Sequence, residues 1–127
     1  MKIALVSMPV KDPIAAHAIY TEKQGFSSRE FDQQAGLAVV VSAADPDGTA
    51  LLLEPCEGTF AETYQQSAYA ANLPIRVFTV ANVDEELQRL AAAGVTMRAD
   101  LDKPDCGLSN LFEDGCGNLL MLQQASA

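Results

Sequence analysis

Leu108–Gln124 reads LSNLFEDGCGNLLMLQQ, two apolar runs held apart by a glycine-rich turn. The first run ends at Phe112, Asp114-Gly115-Cys116-Gly117-Asn118 makes the turn, and Leu119–Leu122 is the second run. Glycines at 115 and 117 admit positive φ and Asn118 tolerates turn geometry, so a hairpin of two strands is expected. With the two-residue period of a strand, Leu119, Met121 and Gln123 face one side, and Leu120 and Leu122 the other. Apolar residues on both sides predict a strand covered on both faces.

Upstream of the hairpin, Val95–Ala99 reads as a strand. Val83–Ala93 reads as a helix with Leu87, Leu90 and Ala91 on its apolar side and Gly94 as its stop. Pro74–Val80 is a further strand, and Ala61–Asn72 a helix with Tyr64, Ala68 and Ala71 on one side. Pro55–Phe60, PCEGTF, is the linker. The first 54 residues follow the same plan. Lys2–Val10 is a strand, and Asp12 caps a helix that Pro13 opens and Gly25 closes. Phe26–Phe31, Leu37–Ala43 and Thr49–Glu54 are strands, the last two joined by the turn Asp45-Pro46-Asp47-Gly48.

Each half is therefore β-α-β-β-β, and the residues echo as well as the elements. Val10-Lys11-Asp12, a helix and Gly25-Phe26 correspond to Val80-Ala81-Asn82, a helix and Gly94-Val95. Two copies of a unit that cannot bury its own sheet are expected to pair. The reading is one α+β domain over residues 1–127: a first βαβββ module (1–54), a linker and helix (55–73) and a second βαβββ module (74–124). The two form a curved mixed sheet with helices on the convex side and a concave face left for a ligand.

Composition narrows the partners. Of the 127 residues, 49% are hydrophobic and 20% charged, enough to bury a core. The net charge of −9, with eight Lys and Arg scattered along the chain, argues against nucleic acid. No apolar run nears the roughly 20 residues of a membrane span, and MKIALVSMPVKDP is a poor secretory signal. Cys56, Cys106 and Cys116 show no CxxC spacing and read as reduced thiols of a cytoplasmic protein. Cys116 and Cys106 read as turn residues, and His17, the single histidine, as a helix residue away from any chemistry.

The pieces VSMPVKDPIAAHAIYTEKQGF, LLLEP, FTVANVDEELQRLAAAGV and FEDGCGNLLMLQ, in that order, resemble the vicinal oxygen chelate superfamily. That superfamily includes glyoxalase I, extradiol dioxygenases and fosfomycin- and bleomycin-resistance proteins. The resemblance covers nearly the whole chain. It implies paired βαβββ modules, frequently completed as a homodimer, with the site on the concave sheet face. Metal-dependent members carry ligands in each module's first and last strands. Carried over, those positions fall on Leu5, Glu54, Ile75 and Met121, of which only Glu54 supplies an oxygen. Aliphatic side chains cannot bind a divalent first-row ion and a thioether does not replace a carboxylate, so neither metal nor cofactor is expected.

Strand parity then gives the inward set: Leu5, Ser7, Leu52, Glu54, Ile75, Val77, Thr79, Leu119 and Met121. This is an apolar trough with two hydroxyls and one carboxylate, suited to a small apolar or amphipathic molecule. The first reading is a metal-independent binding protein of the bleomycin-resistance type, acting as a homodimer. The alternative is a lyase, isomerase or dioxygenase-type enzyme using Glu54 as base or single retained ligand. For base catalysis Glu54 has to be dry and unpaired. Tyr64 and Tyr69 are candidates for the trough's rim, and Arg98–Gly107 for a mobile flap.

Overall fold

The computed structural model describes residues 1–126, and the chain divides into two compact units, Met1–Glu62 and Thr63–Ala127. In the first unit a four-stranded sheet has the order β1 (Leu5–Val10), β4 (Ala50–Pro55), β3 (Leu37–Val41), β2 (Ser27–Asp32). β1 is parallel to β4, and the other neighbours are antiparallel. Helix α1 (Pro13–Ala18) starts as its sequence dictates. Asp12 Oδ1 accepts from the amides of Ile14 (3.0 Å) and Ala15 (3.4 Å), and Pro13 takes the first helical position.

Beyond Ala18 the helix widens into a π turn, Ile19–Lys23, before Gly25 ends it at φ 83°. There Thr21 Oγ1 donates to the His17 carbonyl at 2.8 Å, a side-chain bond that competes with the regular ladder. α1 packs on β3 and β4. The core on that side joins Ala16 and Tyr20 to Met8, Val10, Ala38, Val40 and Leu53, all buried. Each of the larger side chains contributes about 1.5–3 kcal/mol on leaving water.

The second unit has a three-stranded sheet, β5 (Arg76–Val80), β7 (Leu119–Gln124), β6 (Leu111–Glu113), with β5 parallel and β6 antiparallel to β7. Helix α2 (Phe60–Ala70) carries the boundary between the units, and α3 (Val83–Ala92) follows β5. Asn82 caps α3 by accepting from Glu85 N at 3.1 Å, and Val83 and Leu90 bury its apolar edge.

The expected strand Val95–Ala99 is reduced to one bridge, Met97 to Phe112. Glu113 N donates to Thr96 O (2.9 Å) and Arg98 N to Leu111 O (2.8 Å), and there the pairing stops. Arg98 clamps Asp100, two residues on, at 3.0 Å through both Nε and Nη2, and the chain folds into 3-10 turns at Ala99–Leu101 and Pro104–Cys106. Likewise β6 begins at Leu111 rather than Leu108, because Asn110 takes a left-handed φ of 58°. Among the described residues no helix is long and apolar enough to cross a membrane.

Candidate functional site

β1 and β4 run in register, with Ser7 opposite Leu52 and Pro9 opposite Glu54. Paired residues share a face, so Leu5, Ser7 and Pro9 stand with Ala50, Leu52 and Glu54. All four site residues expected in the first unit, Leu5, Ser7, Leu52 and Glu54, are thus brought to one side of its sheet. Ser7 Oγ donates to Glu54 Oε1 at 2.9 Å. Leu5 is 49% exposed, Leu52 is half-buried and Glu54 is open to solvent. Glu54 makes no ion pair among the described residues. The carboxylate is therefore accessible to solvent and held by one hydroxyl.

His17 lies on the opposite side. It hydrogen-bonds Ser28 Oγ at 2.8 Å and stacks on Phe31 with ring centroids 4.0 Å apart. Ser28 pairs with Val40 and Phe31 with Ala38, the parity opposite to Val39, which pairs with Leu52.

In the second unit Val77 pairs with Met121 and Thr79 with Gln123, while Leu111 pairs with Met121 and Glu113 with Leu119. Val77, Thr79, Leu119 and Met121 therefore share one face, as expected. Their exposures differ. Val77 is 47% exposed, Met121 half-buried, and Leu119 lies under the surface at 1%. Thr79 Oγ1 accepts from Gln123 Nε2 at 2.8 Å. Ile75 stands just ahead of β5, with its amide donating to Leu119 O at 3.0 Å.

The same face carries a carboxylate that the sequence reading passed over. Glu113 accepts from the Tyr69 hydroxyl and, at 3.2 Å, from Arg98 Nη1. The hydrogen bond to Glu113 pushes the Tyr69 phenol above its ordinary range, so it stays a donor. The Arg98 guanidinium holds the Asp100 carboxyl below the usual carboxylate range and is itself pushed up by that pair. Tyr69 thus acts as a partner to a strand carboxylate, while Tyr64 OH accepts from Arg76 Nη1 at 3.4 Å. The expected strand stopped at Phe112, one residue short of Glu113. Parity with Leu119 was the signal that could have found it.

The cysteines are free thiols. Burial pushes the Cys56 thiol up, which makes it a poor nucleophile. Cys116 is buried in the β6–β7 turn, where its amide donates to Asp114 Oδ1 at 2.7 Å. Cys106 is exposed beside Gly107.

The four positions that the resemblance in sequence matches to metal ligands are Leu5, Glu54, Ile75 and Met121. They offer one carboxylate and no nitrogen, a donor set that does not fit a divalent first-row ion. Among the described residues no three His, Cys, Asp or Glu side chains cluster to supply another.

Two mixed sheets built from repeated βα units, each with a carboxylate on one face, make the architecture of the glyoxalase fold. A family model, the Glyoxalase/Bleomycin resistance protein/Dioxygenase superfamily, matches residues 2–122, and the chain belongs to that superfamily. It is 39% identical over 127 residues to the uncharacterized protein YurT of Bacillus subtilis (strain 168), covering 98% of this chain and 99% of that one. Among solved structures it is similar to UcmS2 (26% identity, TM-score 0.75, 98% of each chain). It also shares its fold with TnmS3, an antibiotic binding protein from Streptomyces sp. CB03234 (22% identity, TM-score 0.67, 99% of this chain and 97% of that one).

Proposed function

We propose that this chain is a metal-independent small-molecule-binding protein. It takes a mainly apolar ligand against the open face of the first unit's sheet and anchors that ligand's cationic or hydrogen-bond-donating group on Glu54. The observation that carries the reading is the Ser7–Glu54 hydrogen bond on a face otherwise lined by Leu5 and Leu52. Ser7 fixes one carboxylate oxygen and leaves the second for a ligand, within apolar surface that rewards burial. The antibiotic-binding description of TnmS3 makes amphipathic natural products the first ligands to try.

The protein works as a homodimer in the cytoplasm. Exposed apolar side chains such as Phe60, Leu73 and Val77 support association, and three free thiols suit a reducing compartment.

The test is calorimetric titration with bleomycin, a cationic amphipathic probe, followed by a panel of apolar amines, on the native protein and on Glu54→Gln. A saturable ligand should lose about 1.5–3 kcal/mol of binding with the amide, the range of a charge-assisted hydrogen bond. Equal binding to both forms would remove Glu54 from the site. Stoichiometric uptake of Ni, Zn, Mn or Fe(II) by the purified protein would sink the metal-independent reading, and light scattering reads the dimer.

A further inference from the structure

A second opening lies at the far end of the same unit, away from the Ser7–Glu54 pair. Lys2, Ile3 and Ala4 ahead of β1, Arg29 of β2, and Asp45, Asp47, Gly48 and Thr49 before β4 line a cavity of about 730 Å³. That size falls within the range of roughly 300–1,000 Å³ typical of small-ligand sites.

Its walls are set by three local devices. The β2–β3 register shifts between Ser28 and Glu30, which makes Arg29 the extra residue of a bulge, and bulges re-aim side chains. Gly48 closes the turn by donating its amide to Asp45 O at 3.0 Å. A Cβ at that position would meet the Asp45 carboxylate at 2.3 Å, so a side chain there would turn Asp45 aside. Thr49 Oγ1 donates to Ile3 O at 2.8 Å and ties the turn to the segment that carries Lys2.

The charges around this opening are what call for an occupant. Lys2 and Arg29 are two of only eight cations in a chain of net charge −9, and both border one cavity with Asp45 and Asp47. Among the described residues none of these four side chains makes an ion pair, since no oxygen of either aspartate comes within 4.0 Å of either cation. Both signs are thus presented, unpaired, across a space of ligand size.

We propose that this cavity binds a small zwitterion, its anionic group on Arg29 and Lys2 and its ammonium on Asp45 and Asp47. A simple anion satisfies only half of the lining and meets repulsion from the aspartates. A simple amine meets the reverse. The guanidinium of Arg29 suits a carboxylate or phosphate through paired N–H donors. The side chains are solvent-exposed, so the binding is millimolar and weakens with salt. It is independent of the Glu54 face and stands whether or not that face binds anything.

The probe is phosphoethanolamine, titrated into the isotope-labelled protein at low salt, with amide chemical shifts as readout. Inorganic phosphate and ethanolamine serve as half-ligands. The expected result is saturable movement of the Arg29, Gly48 and Thr49 amides. Affinity should fall about three- to fivefold in Arg29→Ala or in Asp47→Asn, the effect of one exposed ion pair. Each half-ligand should bind at least that much more weakly. Absence of saturation at those amides up to about 20 mM would overturn the proposal. Equal affinity for inorganic phosphate alone would overturn the zwitterion assignment, as would unchanged affinity in both variants.

Discussion

The two turns that open the last strands of the two units descend from one pattern yet are built oppositely. Asp45-Pro46-Asp47-Gly48 lies at the surface, with both aspartates exposed. Asp114-Gly115-Cys116-Gly117-Asn118 is folded inward, with Asp114 at 1% and Asn118 at 2% exposure. The inward turn is a closed polar network. Asp114 Oδ1 accepts from the amides of Cys116 (2.7 Å) and Asn118 (3.0 Å), and Asp114 Oδ2 accepts from Asn118 Nδ2 (2.7 Å). Gln65 of α2 donates to Cys116 O and Asn118 Oδ1, both at 3.1 Å. One turn keeps its charges available to solvent, and the other spends them on holding its own backbone. The same sequence device thus serves binding in one place and rigidity in the other.

The strongest way to break that contrast is to remove one aspartate from each turn. Asp114→Ala strands three buried donors and should cost about 3–5 kcal/mol in urea unfolding. Asp47→Ala should stay within about 0.5 kcal/mol. Comparable losses would mean the inward network is not what stabilises its turn.

A smaller effect tests the backbone. Gly117 has φ 102°, and a Cβ there would stand 3.0 Å from the Gln65 amide group that the network immobilises. Gly117→Ala should cost about 2–3 kcal/mol. Gly36, at φ 66° with nothing within 4 Å, should cost about 1 kcal/mol on the same change. A thermal-melt series that ranks the two alike would contradict the close approach.

The smallest expected difference is between the helix caps, where the repeat has been kept. Asp12 (φ −135°, ψ 107°) and Asn82 (φ −142°, ψ 107°) occupy matching positions. Alanine at either should cost about 1 kcal/mol. Unequal losses beyond about 0.5 kcal/mol would show that the two units have diverged there as well.

Much of this was legible in the residues because it is local. Caps, glycine stops, turns and strand parity depend on neighbours a few positions away, so both capped helix starts, the hairpin and the shared face of Ser7 and Glu54 followed from spacing, whereas the hydrogen bond between those two did not. What escaped depends on distant or competing partners. Glu113 joins Tyr69 and Arg98 from three separate elements, and no spacing announces such a meeting. Val95–Ala99 carries enough apolar residues for a strand, but the Arg98–Asp100 clamp draws the chain into a turn instead. The bulge at Arg29 is a property of two strands in register and cannot be seen in either one alone.

Pro9 has a consequence for how the protein behaves when concentrated. Ala4 O and Val10 O accept from the amides of Ala50 and Cys56, so the even-numbered residues of β1 turn their backbone groups toward β4. Pro9 falls on the side away from β4, where the strand offers no N–H at that position. The opposite edge is β2, broken by its bulge and carrying the exposed charges of Arg29, Glu30 and Asp32. Between them LAVVV of β3, the segment with the composition of an amyloid core, has neighbours on both sides. The β2 edge is thereby spoiled as a template, and growth of the sheet strand by strand from that side is blocked.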